Sequence, residues 1–176
     1  PFIDLVVVNL YPFEKVVNDQ KSGKQKCIEN IDIGGPTLIR GAAKNYDNVT
    51  VLTDPNQYNS FLKIVDKNHN QIPKSFRKLC AIVAFEKTSY YDGVISNWFN
   101  KDNPDFCNEN ISLIFNKISQ LRYGENPHQK AALFNLKDNP LIKISGKDLS
   151  FNNIYDLEVA MELAQQFQES SCVILK

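Results

Sequence analysis

A nearly continuous apolar run at the start of the chain, from Phe2 to Leu10, constrains the fold most. Only Asp4 and Asn9 interrupt it with polar side chains. An apolar stretch without alternation is typical of a strand buried on both faces, and such strands occur in parallel sheets that are covered by helices. The run therefore predicts an α/β fold in which this strand has neighbours on either side.

Helix and strand patterns that suit such a sheet follow along the chain. Two glycines precede Pro36, which predicts a helix entrance and a helix over Thr37 to Lys44. Val49 to Leu52 is a short strand pattern, and further helices are predicted over 56–66 and 75–100. The last helix carries an apolar stripe that predicts packing on the sheet. The stripe consists of Phe76, Leu79, Val83, Tyr90, Val94 and Trp98.

The remaining third of the chain predicts a separate segment. The stretch 101–109, rich in Asp, Asn and Pro, is the best linker candidate, and we place a domain boundary between it and Leu121. A strand is predicted over 131–136, a helix over 156–168, and a second short buried strand over 172–175. Because apolar strand patterns stand at both ends, we expect the chain to be an internal segment of a longer protein.

Composition and charge exclude several functional classes. The 20 basic and 20 acidic side chains balance, so no net field favours nucleic acid or an anionic membrane. No apolar stretch reaches the length of a membrane span. The four cysteines lack CxxC spacing and histidine partners, which predicts reduced thiols of a cytoplasmic protein and no metal site. They are Cys27, Cys80, Cys107 and Cys172.

The nine residues from Leu121 to Gln129, Leu-Arg-Tyr-Gly-Glu-Asn-Pro-His-Gln, concentrate polar side chains around a Gly and a Pro. Arg122 offers donors suited to phosphate or carboxylate, Tyr123 an aromatic face with a hydroxyl, and His128 an imidazole that can accept or donate a proton. Gly, Asn and Pro are also the usual residues of surface turns. Taken alone, the block predicts a loop that either holds a ligand or simply turns the chain.

This block and four others together resemble a known enzyme family. Asn9 to Phe13 is Asn-Leu-Tyr-Pro-Phe, and 31–45 is Ile-Asp-Ile-Gly-Gly-Pro-Thr-Leu-Ile-Arg-Gly-Ala-Ala-Lys-Asn. Ala84 to Asp92 and Leu149 to Ile154 extend the match over nearly the whole chain. In order and wording the blocks resemble the bifunctional purine biosynthesis enzymes, which combine 5-aminoimidazole-4-carboxamide ribonucleotide (AICAR) formyltransferase with IMP cyclohydrolase.

The resemblance implies an α/β fold in two parts. Residues 1–117, with a linker near 101–117, correspond to the C-terminal part of an IMP cyclohydrolase domain, which has a methylglyoxal-synthase-like parallel sheet. Residues 118–176 correspond to the N-terminal part of an AICAR formyltransferase domain, which resembles the cytidine-deaminase-like fold. The resemblance further implies a homodimer when the protein is full length.

The resemblance also implies two consecutive reactions of IMP synthesis. A formyl group passes from the substrate 10-formyltetrahydrofolate to AICAR, and the formylated product then closes its ring to IMP with loss of water. The family's phosphate loop is absent from this sequence, so we expect no cyclohydrolase activity from the segment in isolation. The alternatives are a non-catalytic regulatory module of the methylglyoxal-synthase-like class and a scaffold.

For ring closure, the resemblance implies that Lys44 transfers a proton and that Tyr11 and Asp32 line the same site. It also implies that Asn9 contacts the nucleotide. Such a step needs a proton donor or acceptor and a group that stabilises the oxygen of the tetrahedral intermediate. Structural alternatives stay open, since Lys44 could be a solvated residue at a helix end and Asp32 a helix cap.

For formyl transfer, the resemblance implies that Arg122 and Tyr123 bind the nucleotide and that His128 belongs to the catalytic surroundings. It places Asn153 near the substrate and makes Lys176 the lysine of a catalytic Lys-His pair. The reaction needs a base for the amine proton and a donor for the developing oxyanion. A structural role remains the alternative for His128, and a helix cap the alternative for Asn153.

Overall fold

The computed structural model describes residues 2–69, 71–101, 112–135 and 143–175. The chain divides into two compact units, Pro1–Ser112 and Leu113–Lys176. Both contain helices and strands, so the prediction of a mixed α/β chain is confirmed. Most of the expected linker lies outside the described residues, and the assignment of domains to 1–117 and 118–176 stays a prediction.

The first unit is built from a small parallel sheet and helices. Its elements are β1 (Leu5–Val7), α1 (Phe13–Asn18), α2 (Lys24–Glu29), α3 (Gly34–Lys44), β2 (Thr50–Leu52), a 3-10 turn (Pro55–Gln57), α4 (Tyr58–Lys67) and α5 (Lys74–Asn100). β1 and β2 pair in parallel, with Val6 opposite Val51. In the described part of the chain, no helix is long and apolar enough to cross a membrane.

The first strand is shorter and more exposed than the sequence predicts. It covers only Leu5–Val7 of the apolar run, and the side chains of Leu5 and Val7 are 39% and 47% exposed. Among the described residues β1 pairs with β2 alone, so it has a neighbour along one edge. The prediction of a strand that is buried on both faces is therefore wrong for this chain.

The core of the first unit lies where α3 and α5 pack on β2. β2 is buried along its whole length, and α3 contributes Ile39, Ala42 and Ala43 to the same cluster. The predicted helix over 75–100 is confirmed as α5. α3 begins at Gly34, so Pro36 is its third residue, where the missing N–H would have no partner within the helix.

The buried face of α5 differs from the predicted apolar stripe. Leu79, a member of that stripe, is 56% exposed, and the buried positions carry mostly small side chains. They are Cys80, Ala81, Ala84, Thr88, Tyr91 and Gly93. Small residues allow a helix to approach its neighbours closely, while the bulkier residues lie at the rim of the contact. The sequence thus predicts the helix correctly, and its stripe is right for Phe76, Val94 and Trp98, which pack on the core clusters, and wrong for Leu79.

Two short helices, for which the sequence analysis makes no prediction, lie between β1 and α3. α1 and α2 are anchored by Phe13 and Cys27, which are both buried. The Phe13 ring packs edge-on against Tyr91 and Trp98 of α5, with centroid distances of 6.3 and 5.7 Å. A few apolar anchors on α5 therefore stabilise helices whose own sequence is largely polar.

The second unit contains an antiparallel strand pair and a helix. They are β3 (Asn116–Gln120), β4 (Ala132–Asn135) and α6 (Phe151–Gln165). β4 confirms the strand predicted over 131–136, whereas β3 has no counterpart in the predictions. α6 begins five residues earlier than predicted because Ser150 caps it with its side chain. Residues 172–175 form no strand, since no described segment pairs with them.

Arg77 of α5 forms hydrogen bonds to two loops of the first unit. Its Nε donates to the carbonyl oxygen of Tyr46 at 2.9 Å, and its Nη2 donates to that of Asp47 at 2.7 Å. Nη1 donates to the carbonyl oxygen of Ile72. The guanidinium group therefore joins the chain after α3 to the chain before α5. The neighbouring ion pair between Lys74 and Asp47 is more exposed to solvent.

We expect Arg77→Ala to lower the free energy of unfolding by about 3 kcal/mol, because three carbonyl groups lose a charged donor. Urea denaturation followed by circular dichroism measures the change. Lys74→Ala is the matched control, and it should have little effect because an exposed ion pair contributes little. Equal stability losses in the two variants would contradict the role of Arg77.

Candidate functional site

A pocket of about 380 Å³ lies at the carboxyl ends of β1 and β2. Ligands of open α/β sheets bind at this edge. The pocket gathers polar side chains from the segments that follow both strands and from α5. They are Asn9, Tyr11, Glu14, Lys15, Thr53, Asp54, Lys87, Tyr90 and Tyr91. Asn9 and Tyr11 are thus brought together, as the site prediction requires.

Three larger cavities in the described part of the chain include none of the predicted site residues. One, of about 850 Å³, lies at the other end of β1 and has a mostly apolar lining. The other two, of about 770 and 690 Å³, lie in the second unit, the larger of them between the strand pair and α6. Binding sites combine an enclosed surface with a few convergent polar groups. The smaller pocket fits this description best in the first unit.

Asp32 lies beside the pocket and connects three segments of the first unit. Its Oδ1 accepts the N–H of Gly35 at 2.7 Å, and its Oδ2 accepts the N–H of Tyr11 at 3.4 Å. Its own N–H donates to the hydroxyl of Tyr91 at 2.8 Å. One carboxylate oxygen therefore serves as a helix cap, as the structural alternative expects, while the other faces the chain that follows β1.

Gly35 allows this close approach. A Cβ atom at this position would lie 2.5 Å from Oδ2 of Asp32 and 2.7 Å from Cδ2 of Leu10, whereas a Cβ at Gly34 would meet nothing within 4 Å. The sequence predicts only that the glycine pair precedes a helix entrance. In the structure the second glycine is needed because the Asp32 carboxylate occupies the space of a side chain.

We expect Gly35→Ala to lower the free energy of unfolding by about 2 kcal/mol, since the added methyl group must displace Asp32 or Leu10. Gly34→Ala is the matched control. It should be neutral or slightly stabilising because alanine favours the helix and finds open space. Thermal unfolding of both variants tests the contrast, and an unchanged midpoint for Gly35→Ala would show that the carboxylate moves at little cost.

Lys44 is not brought to the other predicted residues of the first site. It is the exposed last residue of α3, nine residues after Gly35. At 1.5 Å per residue this separation is about 14 Å along the helix axis. Its location agrees with the structural alternative of a cation at a helix C-terminus. A part in proton transfer stays a prediction.

In the second unit, three predicted residues from two distant motifs meet. Nη2 of Arg122 lies 3.3 Å from Oδ1 of Asn153, to which it donates, and the guanidinium carbon lies 5.2 Å from the ring centroid of Tyr123. Backbone bonds align the motifs: Arg122 N–H donates to Leu149 O at 2.9 Å, and Phe151 N–H donates to Tyr123 O at 3.2 Å. The arrangement presents a planar cation beside an aromatic face.

Asn153 has a structural part as well. Its Oδ1 accepts the N–H and the hydroxyl of Ser150 at 3.1 and 3.0 Å, and its own N–H donates to the Ser150 hydroxyl at 3.4 Å. This is a capping box at the start of α6. The same oxygen also accepts from Arg122. Asn153 therefore holds the arginine at a fixed place relative to the helix.

His128 lies in a loop, as predicted, that Gln129 closes. Gly124 N–H donates to Gln129 O at 2.9 Å, and Asn126 N–H donates to Oε1 of Gln129 at 2.8 Å. His128 is exposed, and the hydrogen bonds of the described residues do not join it to Arg122. Lys176, the other predicted catalytic residue of this unit, lies outside the described residues.

Several residues that shape the two candidate sites are not assigned a role by the sequence. Ser150 could have been recognised from the spacing of a capping box, three residues before Asn153. Lys87, Tyr91 and Gln129 lie within motifs of the family resemblance, but only the folded chain shows what their side chains contact. In the described ranges, no three His, Cys, Asp or Glu residues are grouped as metal ligands.

Comparisons with known proteins bear on both units. A family model described as AICARFT/IMPCHase bienzyme matches residues 42–176. The bifunctional purine biosynthesis protein PurH of Prochlorococcus marinus (strain MIT 9515) is 48% identical over 168 residues, which are 94% of this chain and 32% of that protein. PurH of Buchnera aphidicola subsp. Acyrthosiphon pisum (strain 5A) is 43% identical over 188 residues, 99% of this chain and 35% of that protein.

Among solved structures, the one described as "Crystal structure of ForH" aligns with a TM-score of 0.48 and 32% identity, over 58% of this chain and 53% of that chain. The chain spans about one third of the length of the curated relatives that it matches.

Proposed function

The chain belongs to the AICARFT/IMPCHase bienzyme family, and from this premise we propose that it is a segment of an enzyme for the last two steps of IMP synthesis. The first step transfers a formyl group from 10-formyltetrahydrofolate to AICAR. The second closes the ring of the formylated product and releases water. The observation that carries the proposal is the meeting of Arg122, Tyr123 and Asn153 from two separate family motifs.

The first unit is assigned to the cyclohydrolase and the second to the formyltransferase. Parallel pairing of β1 and β2, with helices between and after them, supports a methylglyoxal-synthase-like parallel-sheet domain. For the second unit, the cytidine-deaminase-like fold rests on the family resemblance alone. A homodimer in the cytoplasm is proposed on the same basis.

In formyl transfer, the 5-amino nitrogen of AICAR attacks the formyl carbon of the folate, the new C–N bond forms, and the bond to the folate nitrogen breaks. Arg122 would bind an anionic oxygen of the nucleotide with its fork of donors. Tyr123 would stack against a planar part of it. His128 would belong to the catalytic surroundings of the amine, whose proton must pass to a base, and Lys176 would be the lysine of a catalytic Lys-His pair.

In ring closure, the carboxamide nitrogen attacks the formyl carbon, and the former formyl oxygen leaves as water. Asn9 would bind the nucleotide in the pocket at the carboxyl ends of the strands. Tyr11 and Asp32 would move protons to and from the tetrahedral intermediate. The proposal for Lys44 rests on the resemblance, and it requires a substrate or a chain segment that reaches the far end of α3.

The intact gene product, incubated with AICAR and 10-formyltetrahydrofolate, is expected to release tetrahydrofolate and IMP in equal amounts. Supplied with formylated AICAR alone, it should form IMP without folate. Absorbance spectroscopy and chromatography follow the two products. A folded protein that binds these nucleotides but turns over neither substrate would favour the regulatory module instead.

A further inference from the structure

We propose that Tyr91 is a positioning residue that fixes the Asp32 carboxylate beside the pocket at the carboxyl ends of β1 and β2. The inference rests on the proposed ring-closure function of that pocket. The hydroxyl of Tyr91 acts through Asp32, and the ring of Tyr91 belongs to the core.

The ring of Tyr91 is fixed by its surroundings. Only 7% of the residue is exposed, and it clusters with the buried side chains of Phe13 and Cys27. The Phe13 and Tyr91 rings meet at an interplanar angle of 69°, a favourable edge-on arrangement. The long helix α5 therefore delivers the hydroxyl to one defined place.

The hydroxyl makes two hydrogen bonds to the segment that carries Asp32. It accepts the Asp32 N–H at 2.8 Å and donates to the carbonyl oxygen of Asn30 at 3.3 Å. Burial raises the pKa of Tyr91, which keeps the hydroxyl protonated and able to donate. A buried hydroxyl that lacks hydrogen-bond partners destabilises a core. If this position served packing alone, phenylalanine would therefore suit it.

These bonds restrict the carboxylate. The Tyr91 hydroxyl holds the backbone of Asp32, and the Gly35 N–H holds Oδ1 at 2.7 Å. Oδ2 is left with a contact to the Tyr11 N–H of 3.4 Å, near the long limit for a hydrogen bond. Oδ2 is thus the oxygen that is only weakly engaged by hydrogen bonds, and the residue it contacts, Tyr11, lines the pocket.

Precise placement matters for a group that transfers protons, since a misplacement of about 1 Å can cost on the order of 100-fold in rate. Without the Tyr91 hydroxyl, the Asn30–Asp32 segment loses both of these hydrogen bonds to α5 and keeps only the packing of Ile31 on the cluster around Tyr91. The Gly35 contact remains, so the carboxylate stays near its place but samples a wider range of orientations.

The test is Tyr91→Phe in the intact protein, with formylated AICAR as substrate. We expect kcat for ring closure to fall about 10-fold, with KM within about 2-fold and formyl transfer unchanged. Tyr46→Phe is the matched control, since Tyr46 lies beyond the C-terminal end of α3, and it should retain wild-type kcat. A wild-type kcat in Tyr91→Phe overturns the inference.

A double-mutant cycle separates positioning from general loosening of the fold. If the hydroxyl acts through the Asp32 carboxylate, Tyr91→Phe should leave kcat unchanged once Asp32→Ala is present. If Tyr91→Phe lowers kcat 10-fold both in the wild-type protein and in Asp32→Ala, the inference is overturned even though the single variant is slow. The wild-type protein is assayed before any variant. If it does not close the ring, that result refutes the proposed function instead.

Discussion

Arg122→Ala is expected to lower kcat/KM for formyl transfer about 100-fold in the intact protein. Charge-assisted hydrogen bonds to an anionic ligand contribute about 3 kcal/mol, which corresponds to that factor. The guanidinium group is held beside Asn153 and over Tyr123, so its donors are oriented before substrate arrives. Steady-state rates with varied AICAR measure the loss, and ring closure of formylated AICAR should remain unchanged.

Two further variants sharpen this experiment. Arg122→Lys keeps the charge but loses the planar fork, and we expect it to recover only part of the activity. Lys130→Ala removes an exposed cation just beyond the same loop and should have little effect. Wild-type formyl transfer in Arg122→Ala would refute the assignment, and a parallel loss of ring closure would indicate a folding defect.

The sequence predicts element types better than it predicts burial. Helix α5 is recognised from its periodicity, yet its buried face carries Ala84 and Thr88 rather than Leu79. Periodicity marks bulky apolar residues, whereas the contact with α3 and β2 selects small ones. The burial that the sequence predicts for β1 is wrong for a related reason. An apolar run becomes a buried strand only if neighbouring strands cover it.

The candidate site shows the same division. Residue type and motif predict Arg122 and Asn153, and the structure adds that they meet across 31 positions of the sequence. The role of Tyr91 could not be predicted although the residue lies in a family motif, because a tyrosine on a helix is ordinary until its hydroxyl is seen to bind the Asp32 backbone. Contacts that join distant segments depend on the fold, and no local pattern encodes them.

Asp32→Asn is expected to lower kcat for ring closure by about 100-fold or more, since proton transfer by a positioned group contributes on the order of 100- to 10,000-fold. Asparagine retains an oxygen that can accept the Gly35 N–H, so the start of α3 should stay capped. We therefore expect its thermal unfolding to resemble that of the wild type. Stopped assays with formylated AICAR, together with calorimetry, measure both properties.

Asp32→Ala provides the contrast, because it removes both the carboxylate and the cap. It should lose as much activity as Asp32→Asn and in addition about 1 kcal/mol of stability, the usual contribution of a capping side chain. If Asp32→Asn closes the ring at the wild-type rate while Asp32→Ala is destabilised, Asp32 is a helix cap and nothing more. If both variants are slow and only alanine is less stable, the two oxygens of one carboxylate divide structure and chemistry between them.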